Sequence, residues 1–198
     1  MRVLLFIIVL VFTVSAQTNF NGEYEKALQK YRSQAPSDAA GVARQRYNIG
    51  VCLYRLGRHE EAVTELKEAA RIDPNYQKAF YALGMAEAAG GNPVKAKTAF
   101  ARAVDLKKTD AEAWFDLGLV LIELKEFPEA RAAFANSAKF GSINAADAHN
   151  NIGVIHALNG DIASAIKEFK ISGSEEAKGN IAYCRNQLGR LSIAGTHR

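Results

Sequence analysis

The chain has 198 residues, 48% of them hydrophobic and 23% charged, a balance that suits one folded domain and excludes disorder as the default. The formal net charge of +4 is mild, and Lys and Arg are interspersed with Asp and Glu, so no nucleic-acid surface is marked.

The first stretch, MRVLLFIIVLVFTVSA, differs from the rest. Arg2 supplies a positive start, Val3 to Val14 is almost unbroken apolar sequence, and Val14-Ser15-Ala16 places compact residues where a signal peptidase cuts. The run is shorter than the ~20 residues a helix needs to cross a bilayer. The expectation is a secretory signal over 1–16, removed after Ala16, with export to a periplasm or to the outside; an uncleaved membrane anchor is the alternative. Export implies an oxidising compartment, yet the chain has only two cysteines, Cys52 and Cys184.

From Ala43 onward the chain repeats itself. Ile49-Gly50, Leu83-Gly84, Leu117-Gly118 and Ile152-Gly153 follow one another at spacings of 34, 34 and 35 residues. Twelve residues after each glycine stands an alanine (Ala62, Ala96, Ala130, Ala165), and four further on a large apolar residue (Leu66, Phe100, Phe134, Phe169). Breaks fall between glycine and alanine, at Gly57-Arg58, Gly91-Asn92-Pro93, Lys125-Glu126 and Gly160-Asp161. Each unit therefore reads as two short helices joined by a turn, with Gly and Ala allowing close backbone approach and the larger residues filling the space beside them. Pro93 and Pro128 fall in a first helical turn, where a missing N–H costs little. One pair cannot bury its own apolar face, so neighbours must stack.

This pattern resembles the tetratricopeptide repeat, a 34-residue helix-turn-helix unit with W-x2-L-G near its start, followed by A, F and P. The third unit, WFDLGLVLIELKEFPEARAAFANS, is the nearest match, and the resemblance covers Ala43 to about Gly179. It implies an all-α right-handed superhelical solenoid with units at approximately 43–76, 77–110, 111–145 and 146–174. Residues 17–42 then hold the second helix of an incomplete leading unit, with Ala27 and Tyr31 in the alanine and aromatic positions. At the other end 175–198 hold a capping helix, expected over Glu176 to Leu188, and a tail.

Catalytic chemistry finds no frame. His59-Glu60-Glu61-Ala62-Val63 opens like a zinc-protease motif but has Val63 where the second histidine belongs. His149 and His156 stand about 10 Å apart by helical rise, too far to share an ion, and both read as structural. Cys52 and Cys184 fall at the repeat position of Ala86, Val120 and Ile155, and read as unpaired small hydrophobes in separate layers. No enzyme, metal site or cofactor is expected, and the surface remains as the functional element.

The resemblance places the first helix of each unit along a concave groove. It implies that Arg44, Tyr47, Asn48, Tyr54 and Arg55 line the first layer, and Lys78, Tyr81 and Met85 the second. Glu112, Phe115, Asp116 and Glu123 follow in the third, then Asp147, Asn150 and Asn151 in the fourth, with Asn180 and Tyr183 on the cap. Asn48, Asn151 and Asn180 recur at one position; an amide both donates and accepts, which suits it to a peptide backbone or to bracing a neighbouring helix. The family's clamp for a C-terminal carboxylate needs Lys and Asn where this chain has Tyr47 and Val51, and acids at Glu112 and Asp116 repel such a group. The expected partner is therefore a protein or extended peptide, in the assembly of a cell-envelope or secreted complex. The alternative is a structural protein that oligomerises through its convex face, or through an apolar end left by the incomplete first unit; a weaker alternative is an enzyme whose site matches no recognised motif.

Overall fold

A computed structural model describes residues 21–195, with side chains to residue 186, and the signal reading of 1–16 lies outside them. Among the described residues there are ten α-helices and no strand. These are α1 (Asn21–Arg32), α2 (Ala39–Arg55), α3 (His59–Ile72), α4 (Gln77–Ala89) and α5 (Pro93–Leu106), followed by α6 (Ala111–Glu123), α7 (Phe127–Lys139), α8 (Ala145–Leu158), α9 (Ile162–Ser172) and α10 (Glu175–Gly195). No helix among them is long and apolar enough to cross a membrane.

The helices pair as α2/α3, α4/α5, α6/α7 and α8/α9, and each second helix packs on the next first helix. First helices α2 and α4 also touch directly, as do α8 and α10, whereas no two second helices come as close. The first helices therefore line the inside of the curve. The architecture is an all-α superhelical stack of helix pairs, as the glycine period predicts.

The repeat glycines carry this packing. A Cβ added at Gly84, Gly118 or Gly153 would lie within 2.6–2.7 Å of Phe100, Phe134 or Phe169, and one at Gly50 within 2.5 Å of Leu66. Those four partners are at most 2% exposed, and Ala62, Ala96, Ala130 and Ala165 are fully buried beside them. Glycine here permits a ring to lie against the facing backbone, so the repeat spacing follows from the volume of one buried side chain. The turn between paired helices uses a left-handed residue each time: Gly57, Gly91 and Gly160, and in the third unit Lys125, at φ 61°.

The ends differ from the expected register. Leu28, one repeat length before Ala62, is the fully buried residue of α1, while Ala27 and Tyr31 sit at the margin. Leu28 is the only large aliphatic residue of that helix, so burial selects it over its smaller neighbour. Helix α2 starts at Ala39, ahead of the expected Ala43, because the Asp38 carboxylate caps it by accepting from the Gly41 amide at 2.6 Å. Helix α10 runs on to Gly195, beyond the expected Leu188. The outer face of α1 carries Glu23, Glu25, Lys26, Gln29 and Lys30 and exposes no large apolar side chain. Among the described residues the leading end is thus polar, and the apolar end invoked for self-assembly is absent there. Gln45 ties α1 on by donating to the carbonyls of Tyr31 and Gln34 at 2.7 and 2.8 Å.

Candidate peptide-binding groove

The inner face begins basic. Arg44, Arg55 and Lys78 are exposed, and among the described residues none forms an ion pair. Tyr47 and Tyr54 lie half-buried beside them; Tyr47 meets Tyr76 at 5.2 Å with the rings tilted by 54°, and Arg55 stands over the Tyr54 ring at 5.9 Å. Burial raises both phenols, so they stay neutral donors over the physiological range. Met85 and Phe115 continue the strip half-buried, and Phe115 meets Phe134 edge-on at 5.5 Å. Val51 and Leu119, half-buried at the repeat position of Met85, complete an apolar floor that side-chain polarity alone did not mark in the sequence. Asn48 and Asn151 are half-buried, and neither side chain has a hydrogen-bond partner among the described residues.

Several residues expected to face a ligand are occupied by the fold instead. The Tyr81 hydroxyl donates to Asp116 Oδ2 at 2.7 Å, joining α4 to α6. Asn180 Nδ2 donates to Asn150 Oδ1 at 3.0 Å, joining α10 to α8. These two bridges are one motif: each links the residue three before a repeat position on one layer to the residue two before it on the next. Glu112 accepts from Ser142 Oγ and Asn144 Nδ2, both at 2.9 Å, and so anchors the α7–α8 connection. Asn150 is 3% exposed, which corrects its placement on the groove surface: α10 covers it, and a buried amide needs a partner. Asn180 is that partner, so its first role is a brace. Asn180→Ala leaves the Asn150 oxygen unpaired and is expected to cost about 1–3 kcal/mol. Chemical denaturation checks this, and an unchanged midpoint would show the bridge to be dispensable.

Asp116 is the electrostatic centre of the face. Burial pushes its carboxyl up to about 6; the Tyr81 hydroxyl opposes this, and the Glu112 and Asp110 carboxylates add to it. Tyr81 is raised well above its ordinary range by burial, then by Asp116. The other groove acids, Glu123 and Asp147, are exposed, and neither joins an ion pair among the described residues. Tyr183 is 38% exposed on α10.

Other polar groups bind the layers internally. His149 Nδ1 lies 2.8 Å from Glu168 Oε2, and His156 Nδ1 lies 3.3 Å from Asp161 Oδ2. Arg46 meets Glu65 at 2.8 Å in the first layer, at the repeat positions that His149 and Glu168 occupy in the fourth. In the two layers between, the same positions hold Phe80 with Ala99 and Trp114 with Ala133, a ring over a small residue. Glu87 is 2% exposed where sibling layers have Leu53 and Leu121; the Lys67 ammonium comes within 2.8 Å of it, too poorly aligned for a hydrogen bond. Cys52 and Cys184 are free and buried, and burial pushes both thiols up, away from the reactive thiolate. On the outer side a depression of about 580 Å³ lies between α7, α8 and α9, floored by Ala132, Ala135 and Ile152 and edged by Arg131, Lys139 and the His149–Glu168 pair.

Comparison with known proteins agrees with this geometry. The family described as TPR repeat matches residues 50–91, and that described as Tetratricopeptide repeat matches 81–142. The chain is 33% identical over 97 residues to the Homo sapiens protein named Protein O-mannosyl-transferase TMTC3, across 46% of this chain and 11% of that protein. It is 27% identical over 120 residues to the Drosophila melanogaster BBSome complex member BBS4 homolog, across 61% of this chain and 24% of that one. The chain thus spans a minor part of these relatives. A crystal structure of MamA superposes with a TM-score of 0.71 at 24% identity, covering 82% of this chain and 92% of that one. YrrB, described as a TPR protein with an unusual peptide-binding site, superposes with a TM-score of 0.67 at 24% identity, covering 85% and 84%. With the glycine-spaced helix pairs, their buried rings and the two family matches together, the chain is a tetratricopeptide repeat protein.

Proposed function

We propose that the chain is a non-catalytic scaffold that holds an extended protein segment along its inner face. The observation that carries this is the strip of half-buried Tyr47, Val51, Tyr54, Met85, Phe115 and Leu119, flanked by Asn48 and Asn151 with unengaged amides. Apolar area supplies affinity and the amides engage a backbone, as in other grooves that read main chain together with spaced side chains. The peptide-binding site named for YrrB supports this by likeness of fold. The transferase named for TMTC3 is not carried over, because the chain covers 11% of it.

The test is a photo-crosslinking residue placed at Asn48 or Asn151, and for comparison at Thr98 on an outer helix. Groove positions should capture a partner whose crosslink weakens with Tyr54→Ala. One Asn→Ala change should cost about 1 kcal/mol, several-fold in affinity. Capture from Thr98 alone would overturn the reading in favour of convex-face assembly, with concentration-dependent scattering as the check for self-association.

The scaffold acts outside the cytoplasm, in the assembly of a cell-envelope or secreted complex. The support is the basic start, apolar run and Val14-Ser15-Ala16 of the sequence. The mature chain is expected to begin at Gln17. N-terminal sequencing of exported material decides it, and an intact Met1 in a membrane fraction would replace export by anchoring.

A further inference from the structure

We infer that the groove selects a peptide of mixed sign, with an acidic stretch over the first two layers and a lysine or arginine over the third and fourth. This rests on the groove reading above and adds the chemistry of the occupant. The observation is a sign reversal at fixed repeat positions. Six residues before the repeat glycine stand Arg44, Lys78, Glu112 and Asp147. Five residues after the glycine, Arg55 in the first layer is answered by Glu123 in the third. Both positions lie on the first helices and about three helical turns apart, so their charges fall on one stripe along each of those helices. Arg44, Arg55, Lys78, Glu123 and Asp147 are exposed, and none forms an ion pair among the described residues. Some charges on the outer helices and at their caps are paired close at hand, as in Arg58–Glu61, Arg71–Glu68 and Lys97–Glu126, so the distinguishing feature of the inner face is the order of its signs.

Such a face rejects as well as attracts. An acidic peptide long enough to span it meets Glu123, Asp147 and the Asp116 carboxylate, and a basic one meets Arg44, Arg55 and Lys78. Discrimination by repulsion at the wrong end is a general source of specificity. The geometry also sets a spacing. Packed helices lie about 9 Å apart, and an extended chain rises about 3.3 Å per residue, so one layer corresponds to about three peptide residues. The acidic and basic groups of the partner should therefore be separated by about three to six residues, with an apolar side chain between them to meet Met85 and Phe115.

The test uses three fluorescent peptides of about nine residues: three acids and three lysines separated by a Gly-Leu-Ser spacer, the same frame with acids at both ends, and the same frame with lysines at both ends. Anisotropy titrations with the full chain at about 20 mM and about 150 mM salt should show the mixed peptide binding about tenfold more tightly than either single-sign peptide, with the margin narrowing as salt rises. The exposed pair Glu123→Lys with Asp147→Lys should shift preference to the all-acidic peptide, and Arg44→Glu with Lys78→Glu to the all-basic one, both with unchanged melting. If all three peptides bind alike, and all lose affinity with Tyr54→Ala or Asn48→Ala, the groove stands and the charge inference is overturned. If no peptide binds, or binding ignores both of those variants, the groove reading fails and takes this inference with it.

Discussion

Asp116→Asn is expected to stabilise the protein at pH 7 and to lose that advantage in acid. The folded carboxyl sits at about 6 against an ordinary value of 3.8, chiefly through burial, so the ionised form is held less well in the fold than in the unfolded chain. At pH 7 both states are ionised and the fold bears the whole cost, about 3 kcal/mol by linkage. As pH falls through 6 the folded state takes up its proton first, and stability contributed by this group rises until about pH 4, where the unfolded chain is protonated too. Asparagine removes the charge yet still accepts the Tyr81 hydroxyl through its side-chain oxygen. Because a charge-assisted bond becomes a neutral one, the net gain should be about 1–3 kcal/mol. Denaturation of wild type and variant at pH 7 and at about pH 4 measures it. A variant less stable at pH 7, or a gap that does not shrink in acid, would show that burial does not govern this carboxylate. A costly charge retained in the third layer fits a face whose signs select a partner.

The glycine period made the stack readable because the requirement behind it is discrete. A ring lies against the backbone at Gly84, Gly118 and Gly153, and no other residue leaves that space. Burial of a single large side chain was equally legible at Phe100, Phe134 and Phe169. The leading helix departs from the expected register at Ala27, although Leu28 stands one repeat length before Ala62 and is the larger apolar residue, so the repeat spacing carried the signal there too. The groove was legible as a set of positions and not as a set of free groups. Whether an amide faces a ligand or a neighbouring layer depends on the residue one repeat away, and Asn150 with Asn180 shows the second outcome. A signal for this did exist. Tyr81 and Asp116 stand in the same relation as Asn150 and Asn180, so comparing adjacent units, and not only equal positions, points to the bridges. Arg46–Glu65 and His149–Glu168 against Phe80–Ala99 and Trp114–Ala133 show the same paired exchange within a layer.

Phe134→Ala is expected to be the most damaging single change, and its partner Gly118 makes the result interpretable. Phe134 is fully buried in the third layer, with its ring against the Gly118 backbone and the Phe115 ring edge-on to it. Truncation empties the centre of that layer, at a cost of about 3–5 kcal/mol. Gly118→Ala acts from the opposite side: its Cβ would stand 2.7 Å from Phe134 Cε1, and overpacking of this kind costs about 1–3 kcal/mol. The two effects should not add, because the new methyl group occupies part of the space that the lost ring leaves. The double variant is therefore expected to be more stable than the sum of the single losses by about 1 kcal/mol or more. Since each layer contacts only its neighbours, a loss in the third layer weakens interfaces on both sides and should broaden the transition. It also frees Phe115, so peptide affinity should fall even in conditions where the variant remains folded. Urea denaturation of the four proteins measures the coupling, and anisotropy with the mixed-sign peptide measures the consequence for the groove. Strict additivity of the two changes would mean that glycine at position 118 does not serve the ring, and the explanation given for the repeat spacing would have to be abandoned.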